Sequence, residues 1–206
     1  MDSTEISLLD AVTSGKEHRY LNTRTAACFG MFSVIFFSVC WILGIIIDGD
    51  WVWNEDVICR LGISESRFVA NMYLVSCVTT GIGLMACGFG IFRESARLLE
   101  KFAFFSCIIF GFSMIGLGLI DMTHTDEHRV FSTAIMLFGI VTMTADTIED
   151  FIQHRYLIAS LTFLFGLLIV GILLNDPDSV QTIAVAGMLV WLFSKCAMKV
   201  WNDKKI

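Results

Sequence analysis

The sequence predicts an all-α integral membrane protein, a bundle of six transmembrane helices with the N- and C-termini both on the cytoplasmic side. Three observations carry that prediction. Of 206 residues, 56% are hydrophobic and only 17% are charged. With a mean hydropathy of +0.74, the chain lies outside the balance of a soluble domain. Six apolar runs reach or approach the roughly 20 residues that cross roughly 30 Å of hydrocarbon. Lysine and arginine are also shared unevenly between the segments joining those runs. The runs are apolar on every face, without the alternation of a β-barrel strand, and a helix pairs its own backbone amides in lipid.

The first span covers about 26–47 and follows a cytoplasmic tail, 1–25. In that tail Asp2 or Ser3 caps a short interfacial helix with Ile6, Leu9 and Val12 along one side, or the tail is frayed. Its acidic start shows no cleavable signal. The longest loop follows, DGDWVWNEDVICRLGISESR. There Trp51 and Trp53 suit interfacial anchors, Val57, Ile58 and Leu61 form a small amphipathic turn over the bundle, and Ser64 is placed to cap the next helix.

The second span, about 68–92, carries Gly81, Gly83, Gly88 and Gly90, with Ser76 and Thr80 four apart. Small residues let helices approach closely, so this span belongs at the centre of the bundle. Asn71 lies one turn inside it, where the amide needs a partner in another helix or in the preceding loop. The third span covers about 102–120. The fourth, about 130–148, has only 16 uncharged residues at its heart, so its helix extends past Asp146 or begins before Arg129. The fifth and sixth spans, about 154–174 and 180–200, are joined by NDPDS, in which the single proline, Pro177, makes a tight turn. Residues 26–201 thus form one domain, and 202–206 a second cytoplasmic tail.

Orientation follows from the basic residues. Eleven lysines and arginines fall on the side of the termini and three on the other, which places the termini in the cytoplasm. Ten carboxylates fall on the opposite, outer side. Six of the seven cysteines lie in spans and Cys59 lies in an outer loop, so the spacing describes no disulfide framework.

Two polar clusters interrupt the apolar pattern. In GLIDMTHTDEHRVF, between spans three and four, a continuous helix would put Asp121, His124 and His128 on one face, a set able to bind zinc. A zinc-bound hydroxide there would attack an ester or amide of a lipid headgroup. The other reading is a turn followed by a helix start at Thr125 or Asp126. His128 is then turned inward beneath the first loop and bonded to Asn71, Asp56 or Glu55, while His124 stays in water. That contact is also the best candidate for an outer catalytic or pH-sensing site. At the inner side, Asp146, Glu149, Asp150 and His154 have helical spacing, and Lys195 stands near the end of span six. Isolated charges there are costly, so we expect Asp146 and Lys195 to pair.

The outer-loop motif ICRLG, Asn71 opening a Gly-rich second span and His128 opening the fourth together resemble domain-of-unknown-function family 998 of archaeal and bacterial six-span membrane proteins. A more distant similarity extends to the damage-regulated autophagy modulator group. The family carries no established activity. The resemblance implies the six-span architecture, a prokaryotic plasma membrane, and Leu61, Gly62, Asn71 and His128 as structural or pocket positions.

For function, the reading is a non-catalytic protein that binds or organises membrane lipids, since no charged group occupies the centre of any span. One alternative is a hydrolase acting on lipid headgroups through His128, Asp121, His124 and Asp56. The other is a transporter of an uncharged solute. We expect lipids as partners, no nucleic acid and no cofactor; oligomeric state is not readable from the chain.

Overall fold

A computed structural model of the protein describes residues 22–52, 55–175 and 177–202. The expected tail helix, Trp53 and residues 203–206 lie outside them. Six long helices follow one another: α1 (Thr23–Asp48), α2 (Arg67–Glu94), α3 (Leu98–Leu119), α4 (Thr125–Ile152), α5 (Tyr156–Asn175) and α6 (Pro177–Asn202). A short 3-10 helix, Ile58–Ile63, lies between α1 and α2. Among the described residues, five helices are long and apolar enough to cross a membrane: α1 to α4, and Thr182–Trp201 of α6. The described apolar part of α5, Tyr156–Leu167, is shorter.

Polar residues at the helix ends set the bounds. α1 starts earlier than its apolar run because Asn22 accepts a bond from the Thr25 amide at 2.8 Å. It stops at Gly49, whose φ of 74° is the left-handed conformation that a side chain disfavours. Thr23 binds Glu94 through both its amide and its hydroxyl, so the start of α1 and the end of α2 share one end of the bundle. α4 is longer than its apolar heart in both directions, with Asp126 and Glu127 in its first turn, where they suit the positive end of the helix dipole.

Pro177 does not form the turn expected of it. It is the first residue of α6, where a missing N–H costs nothing and the fixed φ suits a helix. Ser64 likewise does not cap α2. Ser66 is the N-cap residue, while the Ser64 hydroxyl donates to Asp48 at the end of α1.

α2 packs against α1 and α3, α6 closes against α1, and α5 lies at the periphery against α4 and α6. The buried face of α2 reads Tyr73, Cys77, Thr80, Leu84, Cys87 and Ile91, steps of three and four that give one helical stripe. Outward-facing residues such as Phe32, Ile82, Leu137 and Leu164 are more than half exposed, which suits a hydrocarbon surround and not water. The α2–α3 contact is a backbone contact. A Cβ on Gly81 would lie 2.5 Å from the Gly111 carbonyl oxygen, and one on Gly111 would lie 2.7 Å from that of Gly81.

Candidate functional site

At the loop end of the bundle, residues 121–124 form a turn and α4 begins at Thr125, with His124 as N-cap residue. Asp121 accepts bonds from the amide of Thr123, at 2.9 Å, and from its hydroxyl, which hold the carboxyl below the usual carboxylate range. His124 is exposed, its Nδ1 3.4 Å from Asp121. His128 is buried, and its Nδ1 lies 2.7 Å from the carbonyl oxygen of Ile120, the last residue before the turn. It therefore donates to that carbonyl and ties the first turn of α4 to the end of α3.

Of the two readings of this stretch, the structure has the turn with a helix start at Thr125, and one expectation within that reading is corrected. His128 does not bond Asn71, Asp56 or Glu55. Asn71 and Glu55 are exposed, and Asp56 is held by the Arg60 guanidinium and by the Val52 amide at 2.7 Å. Nor do Asp121, His124 and His128 share a helical face, because the turn precedes the helix. Among the described residues no group of three His, Cys, Asp or Glu side chains gathers as a metal site.

His128→Ala would leave the Ile120 carbonyl without its partner, at a cost of about 1–3 kcal/mol. His124→Ala is expected to stay within about 0.5 kcal/mol. Thermal unfolding of the purified variants in detergent separates the two.

The first loop packs downward. Ile58, Cys59 and Leu61 are buried, so Cys59 is not the exposed thiol expected of a loop. The Tyr73 hydroxyl bonds the thiols of Cys59 and Cys77. Gly62 lies against the Tyr73 ring, where a Cβ would come within 3.1 Å. Arg60 lowers the Asp56 carboxyl as the Thr123 contacts lower Asp121. Both groups bind protons more weakly when folded. Their contribution is present at neutral pH and is lost as pH falls below about 4. Asp56→Asn is expected to flatten that acid limb of a thermal-midpoint profile.

At the other end, the charges of α3, α4 and α6 meet. Lys195 Nζ lies 2.5 Å from Asp146 Oδ2 and also bonds Asp150. Asp150 receives Arg155 from the other side at 2.7 Å. Glu149 holds Arg97 and Gln153, each at 2.5 Å, and Lys199 pairs with Glu100. Asp146, Glu149, Asp150 and Lys195 are all buried. The sequence reading paired Lys195 with Asp146 alone; Asp150, one turn further along α4, shares the ammonium. The α4–α5 turn completes the cluster. His154 has a φ of 59°, and Arg155 donates its amide to the Asp150 carbonyl at 2.9 Å, a helix-ending turn that aims the guanidinium at the same residue.

Between these polar ends lies a narrow cavity of about 60 Å³. α1, α2, α3, α4, α6 and the 3-10 helix all contribute to its wall, including Phe37, Tyr73, Phe110, Met114, Ile135 and Leu189. Among the described residues no Asp, Glu, Lys, Arg or His lines it. Its polar groups are largely occupied: Thr80 donates to the Ser33 carbonyl at 3.3 Å, and Tyr73 bonds the two thiols. A smaller void of about 20 Å³ lies beside it, sharing Phe110, Met188 and Leu192 and reaching Thr142 and Trp191.

Nothing in the sequence marked this space, because its residues come from six segments and most are ordinary apolar residues. Of the residues singled out from sequence, Leu61 and Gly62 pack in the loop above it and His128 in the neighbouring turn. Asp56, Asp121 and His124 stay in the loops. Compared with protein-family models, curated proteins and solved structures, the chain matches none.

Proposed function

We propose that the protein is a six-span membrane protein, with cytoplasmic termini, that holds one hydrocarbon chain of a membrane lipid inside its bundle. The observation that carries this reading is the cavity. It is apolar, it is walled by six segments of the bundle, and no charged side chain among the described residues lines it. A polar solute in it would lose water without gaining partners, whereas a hydrocarbon chain loses nothing.

The headgroup-hydrolase alternative has less support, since Asp121 and His124 meet only each other in an exposed turn, while Asp56 is held by Arg60 and His128 by the Ile120 carbonyl. The likeness to family 998 and a prokaryotic plasma membrane remain part of the proposal, resting on ICRLG, Asn71 and His128.

Met114→Trp, which places an indole in the middle of the cavity, tests the reading. The native chain is expected to retain one lipid through detergent exchange and the variant to lose it at least tenfold more readily while keeping its helical content. Equal retention would exclude the cavity as the site. Orientation is tested separately. A membrane-impermeant maleimide on intact cells is expected to label a cysteine placed at position 178 and not one at 204, and the reverse pattern would overturn the topology.

A further inference from the structure

A second space lies on the outside of the bundle, between α5 and α6. This open groove has a volume of about 310 Å³. Leu161 and Phe165 form one wall, Val190 and Trp191 the other, and Lys195 stands toward its terminal end. Along α6 it runs from Gly187 to Met198, roughly 16 Å at the helical rise. Trp191 belongs to two spaces at once. It lines the groove, and it also bounds the small void that shares Phe110, Met188 and Leu192 with the central cavity.

Its Nε1 is buried and bonds to nothing, so no hydrogen bond fixes the ring. Two glycines leave space for the side chains around it. A Cβ on Gly139 would collide with Met188, and one on Gly187 with the Phe165 ring. Among the described residues, α5 packs chiefly against α4 and α6.

We propose that this groove is the lateral route by which the hydrocarbon chain of a bilayer glycerolipid passes into the interior, with Trp191 as the side chain that separates groove from cavity. The proposal rests on the reading of the cavity as a lipid site and adds where the lipid comes from. Three features select a lipid chain as the occupant. The groove opens between two apolar helices and faces the surrounding hydrocarbon. Trp191 divides it from the small void, and that void borders the cavity at Phe110, Met188 and Leu192. Lys195, the charge among the described residues of its wall, is already neutralised by Asp146 and Asp150, so the groove calls for no anion along its length.

Passage from bilayer to groove exchanges one apolar surrounding for another and gains or loses little transfer free energy. The obstacle is steric, and it lies first at Trp191 and then at Phe110, Met188 and Leu192. A water-borne solute would instead have to cross hydrocarbon before reaching the groove.

The test uses the full chain reconstituted in phosphatidylcholine vesicles, mixed with vesicles containing a phosphatidylcholine that carries a photoreactive diazirine near its chain end. Labelling of the peptide holding Met114 and Leu117 is followed with time. Leu161→Trp, at an exposed position, narrows the groove and is expected to slow labelling at least tenfold without changing its final extent. Trp191→Ala is expected to speed it several-fold. If Trp191→Ala does not fold, Leu161→Trp decides alone. Unchanged rates with the cavity still labelled would overturn the route and leave the lipid cavity standing. Absence of cavity labelling in the native chain would overturn the cavity reading, and the route with it.

Discussion

Lys195→Met is expected to destabilise the detergent-solubilised protein by about 3–5 kcal/mol, the usual result of removing one partner from a buried ion pair. The methionine keeps the apolar stem and removes only the ammonium, so the loss reads the charge and not a cavity. Asp146 and Asp150 would then face each other with Arg155 as their remaining cation, and Asp150 is fully buried. Adding Asp146→Asn to Lys195→Met is expected to recover part of the loss, because it removes the carboxylate left unpaired. Denaturant titrations of the single and double variants measure both effects. A Lys195→Met protein as stable as the native chain would mean that the network is solvated and contributes little.

Gly81→Ala is expected to cost about 1–3 kcal/mol, the range for overpacking a close contact. The new methyl would meet the Gly111 carbonyl oxygen at 2.5 Å, and backbone cannot rotate aside as a side chain can. α2 and α3 would have to separate at the tightest contact between them. Gly166→Ala provides the opposite case. A Cβ there meets nothing within 4 Å, so the change is expected to be neutral or stabilising by about 0.5–1 kcal/mol. A similar fall in thermal midpoint for both variants would show that helix propensity, and not the α2–α3 contact, sets the effect.

The helices were legible because lipid forces each apolar run to satisfy its own backbone, and polar residues then mark where the runs end. Their exact ends were less so. Asn22 extends a helix beyond the apolar residues, and Pro177 starts a helix where a turn was expected. Charged groups were legible as clusters and less so as partners. Asp146 and Lys195 lie 2.5 Å apart, yet Asp150 lies at the same ammonium, a choice that depends on the rotation of α4 about its axis.

His128 shows the same limit from the other side. Its place in the first turn of α4 could be read from THTDEH, but its acceptor is a backbone carbonyl eight residues earlier, and composition does not mark a carbonyl. Asn71 reads as interior because an amide within an apolar span calls for a partner, whereas the turn of α2 leaves it on the exposed side. The cavity was the least legible feature, since it is the space left where Phe37, Tyr73, Met114 and Leu189 fail to meet.

The most direct measurement is the electron density within the bundle of the protein crystallised from a lipid phase. The proposed function predicts one continuous, unbranched tube of density running from beside Tyr73 toward Leu192 and ending in the surrounding bilayer. Ordered water there, or side chains collapsed to fill the space, would contradict it.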